Sequence, residues 1–124
     1  MIDGLGIDMV DVDRIAGKIS KEAGFRELVF SPGEIAYCET KANKFEHYAA
    51  RFAAKEAFFK ALGTGWADGT AFSEVEITNN TSGQPDLNLL GRTRDRLAPL
   101  KINKILVSLS HIKTMASAVV IIEK

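Results

Sequence analysis

His47-Tyr48-Ala49-Ala50-Arg51-Phe52-Ala53-Ala54-Lys55-Glu56-Ala57-Phe58-Phe59-Lys60-Ala61-Leu62, closed by Gly63, decides the fold. The stretch is rich in Ala and free of Gly and Pro, so it predicts one long helix from His47 to Leu62, with Gly63 as a left-handed cap. Working toward the N-terminus, Ser31-Pro32-Gly33-Glu34 starts a second helix, expected over Pro32 to Glu39. Ser31 is its cap, Pro32 lies in its first turn, and Glu34 stands three residues past the cap. The polar stretch Thr40 to Lys44 separates the two. Further back, Asp11 or Asp13 can cap a helix whose inner face carries Ile15 and Ile19, and Phe25, Leu28 and Val29 continue a helical spacing to about Phe30. Gly4 to Val10 (GLGIDMV) predicts a strand with Leu5, Ile7 and Met9 on one face and Gly6, Asp8 and Val10 on the other.

Toward the C-terminus the texture changes. Gly63 to Gly69 is a Gly-rich loop. Val75 and Ile77 suggest a short strand, Asn79 to Pro85 (NNTSGQP) a turn, and Leu87 to Leu90 a return strand. Arg92 to about Ala98 predicts a helix stopped by Pro99. Ile105, Val107 and Leu109 alternate as in a half-buried strand, and Thr114 to Ile122 (TMASAVVII) predicts a final one. A strand, then helices, then several strands is the order of an α+β protein, expected here as a single domain over residues 1–124.

Composition narrows the function. Of 124 residues, 46% are hydrophobic and 26% charged, a balance too apolar for a disordered chain. Sixteen Lys+Arg cancel sixteen Asp+Glu, so net charge does not point to nucleic acid. The single cysteine, Cys38, excludes an intramolecular disulfide and a Cys-based zinc cluster. No apolar run approaches the roughly 18–20 residues of a membrane span, and Met-Ile-Asp-Gly does not open a signal peptide. The expectation is a cytoplasmic protein.

Several residues admit both a structural and a chemical reading. Glu56 and Lys60 share one helix face, and Arg51 and Lys55 share a neighbouring one. A solvated face with ion pairs of about 0.2–0.5 kcal/mol each explains them on spacing alone. Asp8 interrupts an apolar strand. It is either a water-facing carboxylate of an edge strand or, with Glu56, a ligand for a hard cation. His111 ends Ser108-Leu109-Ser110-His111. No second His stands at metal spacing, and Lys113 would add charge suited to phosphate if both faced one pocket. Arg14, Lys18, Lys21 and Arg26 recur along the first helical region, either as a solvated face or as a docking patch for an acidic partner. There is no G-x-S-x-G elbow and no complete G-x-G-x-x-G.

In sequence order, three blocks resemble the holo-acyl-carrier-protein synthase family of bacterial 4′-phosphopantetheinyl transferases. They are Gly6-Ile7-Asp8-Met9-Val10 with Arg14-Ile15; Arg51 through Phe58, continuing Lys60-Ala61-Leu62-Gly63-Thr64-Gly65; and Ser108 to His111 with the Ala116–Ile121 strand. The turn Ser82-Gly83-Gln84-Pro85 resembles the family's Gly-x-Pro turn. The resemblance implies the family's α+β fold, an N-terminal strand and helices followed by a mostly antiparallel sheet. It implies transfer of the phosphopantetheine arm of coenzyme A to a serine of apo acyl carrier protein, with release of adenosine 3′,5′-bisphosphate. It also implies Mg²⁺ on Asp8 and Glu56, Lys60 on the pyrophosphate, and either Glu56 or a metal-bound water as the base. Arg51, His111, Gly63, Gly65, Gly83 and Pro85 fall at substrate-binding positions, and Arg14, Lys18, Lys21 and Arg26 at carrier-protein docking positions. A homotrimer with interface sites is implied as well, with neither a nucleic acid nor a membrane as partner. Trp66 departs from the aliphatic residue common in relatives.

The alternative from another class is a non-catalytic carrier-protein or nucleotide-binding module, which would not need Asp8, Glu56 and Lys60 together. A second is a domain cut from a larger synthase; Met1 just before the first strand and Lys124 just after the last lead us to expect a free-standing chain instead.

Overall fold

A computed structural model describes residues 1–64 and 68–124. In chain order it contains β1 (Ile2–Asp11), α1 (Val12–Lys21), α2 (Phe25–Val29), α3 (Pro32–Glu39), α4 (Lys44–Leu62), a 3₁₀ turn (Phe72–Glu74), β2 (Val75–Asn79), β3 (Pro85–Leu89), α5 (Gly91–Leu97), a second 3₁₀ turn (Ala98–Leu100), β4 (Lys104–His111) and β5 (Met115–Glu123). The chain is α+β. Antiparallel strands β1-β5-β4 form one sheet, and β2 and β3 form a separate hairpin. The N-terminal strand therefore does not merely precede the C-terminal sheet. It joins it as an edge strand, with Asp8 opposite Ala118 and Val10 opposite Ala116.

The long helix starts at Lys44, three residues before the expected His47, and ends at Gly63, which holds φ of 84° as the expected left-handed cap. Its abundant Ala serves packing as well as propensity. Ala49, Ala50, Ala53, Ala54, Ala57 and Ala61 are all buried. Opposite them β1 carries Gly4 and Gly6. A Cβ on Gly4 would collide with the Ala61 carbonyl oxygen, and one on Gly6 with that of Ala57. Helix and strand meet backbone to backbone, and only glycine permits this.

The capping box at Ser31 forms as expected: Glu34 N donates to Ser31 Oγ, and Ser31 N donates to Glu34 Oε1. Asp11 caps α1 by accepting from Asp13 N. The helical spacing read through to Phe30 is in fact two helices, broken between Lys21 and Phe25. The helix expected over Arg92 to Ala98 is α5, Gly91–Leu97, followed by the 3₁₀ turn that holds Pro99; the final strand begins at Met115, and the Thr114 carbonyl before it accepts Val12 N.

One face of the sheet lies under α4. Ala116, Ala118, Val120 and Ile122 of β5 are buried there with Val10, Tyr48, Phe58 and Phe59. Among the described residues nothing covers the other face: Leu5, Ile7 and Met9 are 63–66% exposed, and Leu106 of β4 is 40% exposed. Register lines Leu5, Ile121 and Leu106 into a row across that face, with Ile7 and Val119 beside it.

Candidate active site

Helix α4 carries site residues on two flanks. Successive helix residues turn by about 100°, so Arg51 stands roughly 140° from Glu56 and roughly opposite Lys60.

On the first flank, the inward face of β1 brings Asp8 to the helix. Lys60 Nζ donates to Asp8 Oδ1 at 2.9 Å and to the Ile7 carbonyl at 3.1 Å. The Asp8 side chain is 17% exposed and faces α4, so the water-facing reading of this edge-strand carboxylate does not hold. Register and the glycine contact dictate this. With Gly4 and Gly6 seated on the helix, the next inward position must be Asp8. Burial and the neighbouring Asp8 charge push the Glu56 carboxyl up, against Lys60 and Arg14 pulling it down. Arg14 thus contributes to the same flank, and it is exposed there.

Two carboxylate ligands suit a hard cation, which prefers oxygen to histidine nitrogen or cysteine sulfur. Among the described residues no group of three or more His, Cys, Asp and Glu is placed to hold a metal. The pair would leave the remaining positions to water and phosphate oxygens, which is how cations that act on phosphates are commonly held. Burial first, and the Asp8 charge second, make the ionised Glu56 costly here, and a bound cation would offset both.

On the second flank, a cleft of about 210 Å³ is lined by Tyr37, His47, Arg51, Gly83, Pro85 and His111, among others. Arg51 is 2% exposed. Its Nη2 donates to Asn79 Oδ1 at 2.7 Å, and Asn79 Nδ2 donates to the Gly83 carbonyl at 3.0 Å, so Asn79 ties the guanidinium to the turn. The guanidinium carbon lies 4.3 Å from the centre of the Tyr37 ring, and among the described residues Arg51 Nε is buried without a partner. A buried cation at the wall of a cleft suits an anion. His111 Nδ1 lies 2.9 Å from Glu46 Oε1, and the His47 ring centre is 5.1 Å from that of His111. The two histidines, distant in sequence, are neighbours.

The structure thus brings Asp8, Glu56, Lys60 and Arg14 together, and separately Arg51, Gly83, Pro85 and His111. It does not unite the two groups within one chain. Gly63 caps α4 beyond the first flank, and Gly65, with Trp66, lies outside the described residues. Lys113 lines a neighbouring groove with Val12 and Glu46 and does not join the His111 cleft. On the basic helical region, Lys21 is exposed, whereas Lys18 pairs with Glu22 at 3.6 Å. Arg26 is bound by Glu27 at 2.8 Å and Glu39 at 3.3 Å, so its charge is already answered.

The solvated-face reading of Arg51 and Lys55 is overturned. Lys55 is completely buried and donates to Glu34 Oε1 at 2.7 Å, the Phe72 carbonyl at 2.8 Å and the Val75 carbonyl at 2.6 Å. Spacing shows which residues share a face; it does not show that α3 and the β2–β3 hairpin will cover that face. Tyr37, Glu46, His47 and Asn79 went unrecognised for the same reason, since their roles arise only when distant segments meet. The Asn-rich start of the turn was the one local sign that Asn79 mattered.

The sequence pattern of the 4′-phosphopantetheinyl transferase superfamily matches residues 4–116. The chain belongs to that family. It is 48% identical to a holo-acyl-carrier-protein synthase of Cytophaga hutchinsonii, over 100% of this chain and 99% of that one. It is 46% identical to the synthase of Syntrophus aciditrophicus, over 99% and 97%. Its fold matches the crystal structure of the synthase from Neisseria meningitidis with a TM-score of 0.90 at 30% identity, over the whole of both chains. It also matches the Helicobacter pylori synthase in complex with coenzyme A, with a TM-score of 0.84 at 30% identity, over 96% of this chain and 99% of that one. Among the described residues no helix is long and apolar enough to cross a membrane.

Proposed function

We propose that this chain works as a holo-acyl-carrier-protein synthase in the cytoplasm, as a single transferase domain. It transfers the 4′-phosphopantetheine arm of coenzyme A to a serine hydroxyl of an apo acyl carrier protein and leaves adenosine 3′,5′-bisphosphate. The observation that carries this reading is the meeting of Asp8 with Lys60 and Glu56, from segments about fifty residues apart, into two carboxylates and an ammonium. A binding module would have no use for that set.

Asp8 and Glu56 fit Mg²⁺, which when bound there would supply charge neutralisation at the pyrophosphate. Lys60 holds Asp8 and offers its remaining donor capacity to a pyrophosphate oxygen. Glu56, whose carboxyl is pushed up by burial and by Asp8, is set to accept the serine proton. Arg51 presents a fixed guanidinium to a phosphate of the nucleotide end, with His111 beside it and Gly83 and Pro85 as the wall of that subsite. At Gly63, and by the family resemblance at Gly65, the missing side chain would leave room for a ligand to approach. Arg14 adjoins the carboxylates and is free to meet an acidic carrier; Lys21 and Lys18 extend the patch, and Arg26 is its weakest member.

Since each chain carries the two groups of residues on opposite flanks, the reading includes a homotrimer whose sites lie between subunits. Two different surfaces meeting head to tail close into a ring when the rotation from one subunit to the next divides a full turn. The uncovered row of Leu5, Ile7 and Met9 supports this, because an apolar face of that kind marks an interface. Native mass spectrometry should give three chains, and Ile7→Glu should yield an inactive monomer. A fully active monomer would overturn the shared site.

The deciding experiment is intact-mass spectrometry of apo acyl carrier protein incubated with the protein, coenzyme A and Mg²⁺, with and without chelator. A gain of one phosphopantetheine arm, absent with chelator, is expected. No gain with several apo carriers, despite folded protein that binds coenzyme A, would favour the binding-module reading instead.

A further inference from the structure

His111 is gripped from two sides. Its Nδ1 lies 2.9 Å from Oε1 of Glu46, in the first turn of α4, and both side chains are largely enclosed, at 28% and 19% exposure. On its other side the His47 ring packs edge-on, and His47 in turn packs on Tyr37 at 5.8 Å. Arg51 and Lys41 both lie over the Tyr37 ring. Glu46 lines the neighbouring groove and reaches His111 from there; a carboxylate bonded to a residue of the proposed phosphate subsite calls for a reason, since Glu46 alone would repel a phosphate.

Its geometry supplies one. An ionised carboxylate only accepts, so the proton of this hydrogen bond belongs to Nδ1. The hydrogen bond at one ring nitrogen fixes the role of the other. A neutral His111 held this way has a bare Nε2 and can give nothing to a phosphate oxygen. Only the doubly protonated ring can donate to Glu46 and to the phosphate at once. We infer that Glu46 is a positioning residue for the nucleotide end of the substrate: it fixes Nδ1–H of His111, so that Nε2–H meets a phosphate oxygen as the second donor of an imidazolium. The inference rests on the transferase reading of the cleft.

The neighbouring groups support a division of labour. Burial lowers His47, and His111, Arg51 and Lys41 lower it further, with only Glu46 pulling the other way. Of two touching imidazoles that would repel if both were charged, His47 is the one its surroundings push toward the neutral form. Glu46 bonds the other.

The test uses protein labelled with ¹⁵N-histidine, read by long-range ¹H–¹⁵N NMR, together with calorimetric binding of adenosine 3′,5′-bisphosphate. In the wild type, the neutral form of free His111 should carry its proton on Nδ1, and both ring nitrogens should be protonated in the complex. Glu46→Ala and the shape-preserving Glu46→Gln should lose the imidazolium signature. They should weaken nucleotide binding about tenfold, the low end for removing a carboxylate behind a ligating imidazole. In turnover the loss should fall on KM for coenzyme A and leave kcat and KM for the carrier within about twofold. In a His111→Gln background, Glu46→Ala should change binding no further. A wild-type complex with the proton on Nε2 alone, or an equal loss with and without His111, would overturn the inference while leaving the transferase reading intact. A wild type that binds no nucleotide would overturn that reading, and the Nδ1 proton of the free protein would still report on the Glu46–His111 pair.

Discussion

Lys55 and Lys60 lie five positions apart on one helix, and each is paired with an acid from another element. Lys55 is fully enclosed. It gives its three protons to Glu34 and two carbonyls, while Glu34 also receives Ser31 N and Ile77 N. That pair joins α3, α4 and β2 and has no donor left over. Lys60 is 55% exposed and holds Asp8 beside a second carboxylate, Glu56, whose carboxyl is pushed up by burial and by the Asp8 charge. The lesson is one of completion. The closed pair serves architecture, and the open pair is available to a ligand.

The comparison can be broken most forcefully at Lys55. Lys55→Ala leaves Glu34 buried without its counter-charge, which typically costs about 3–5 kcal/mol. Urea denaturation should show that loss, and Lys55→Met combined with Glu34→Gln should recover part of it. A loss below about 1 kcal/mol would remove the architectural role.

Lys60→Ala should invert the pattern. Its stability should change by less than about 1 kcal/mol, as for other partly exposed pairs. Its kcat, followed by mass spectrometry of the carrier, should fall about a hundredfold or more, the usual scale for deleting one preorganised donor. Equal effects on stability and turnover would erase the distinction between the two lysines.

A smaller effect is expected at the margin of the open flank. Arg14→Ala should raise KM for the carrier protein several-fold, on the order of the 1–2 kcal/mol carried by one well-placed charge at an interface, and more than it raises KM for coenzyme A. Equal changes in both would place Arg14 outside the docking surface.

The smallest effect tests the charge imbalance itself. Because burial and Asp8 raise the Glu56 carboxyl in the folded protein, the native state holds that proton more tightly than the unfolded chain. Without metal, this group should therefore lower stability as pH rises from the ordinary glutamate range through the raised value. The difference between wild type and Glu56→Gln, measured by denaturation across that window, isolates the term from other carboxylates. Saturating Mg²⁺ should abolish it.

What the sequence disclosed was local. Helix α4, the Ser31 capping box, the Gly63 cap and the alternation of β4 each rest on a few adjacent residues, and the structure has them close to where they were expected. The identities of Asp8, Glu56 and Lys60 were legible through the family resemblance, as was their order along the chain. The fate of Lys55 was not, because nothing within one turn of it says that Glu34 and the hairpin will close over it. Nor was the separation of Arg51 from Glu56 onto opposite flanks. Helical spacing gives the angle between them, but only the seating of α4 across β1 and β5 turns that angle into two sites. Pairing β1 with β5 joins the two ends of the chain, a contact that no local window contains.

The contact of Gly4 and Gly6 with α4 bears on how the two flanks would respond to compression. Where main chain rests on main chain, little void remains to be squeezed out, so the spacing of Asp8 and Glu56 should behave as a stiff ruler under hydrostatic pressure. The cleft of about 210 Å³ on the far flank leaves its lining residues less tightly packed than that contact, and loosely packed regions yield first to pressure. High-pressure NMR should find amide shifts that bend sharply around Tyr37, His47 and Asn79 and run nearly straight along β1. The molecule would then be rigid where it must measure and yielding where it must admit a guest.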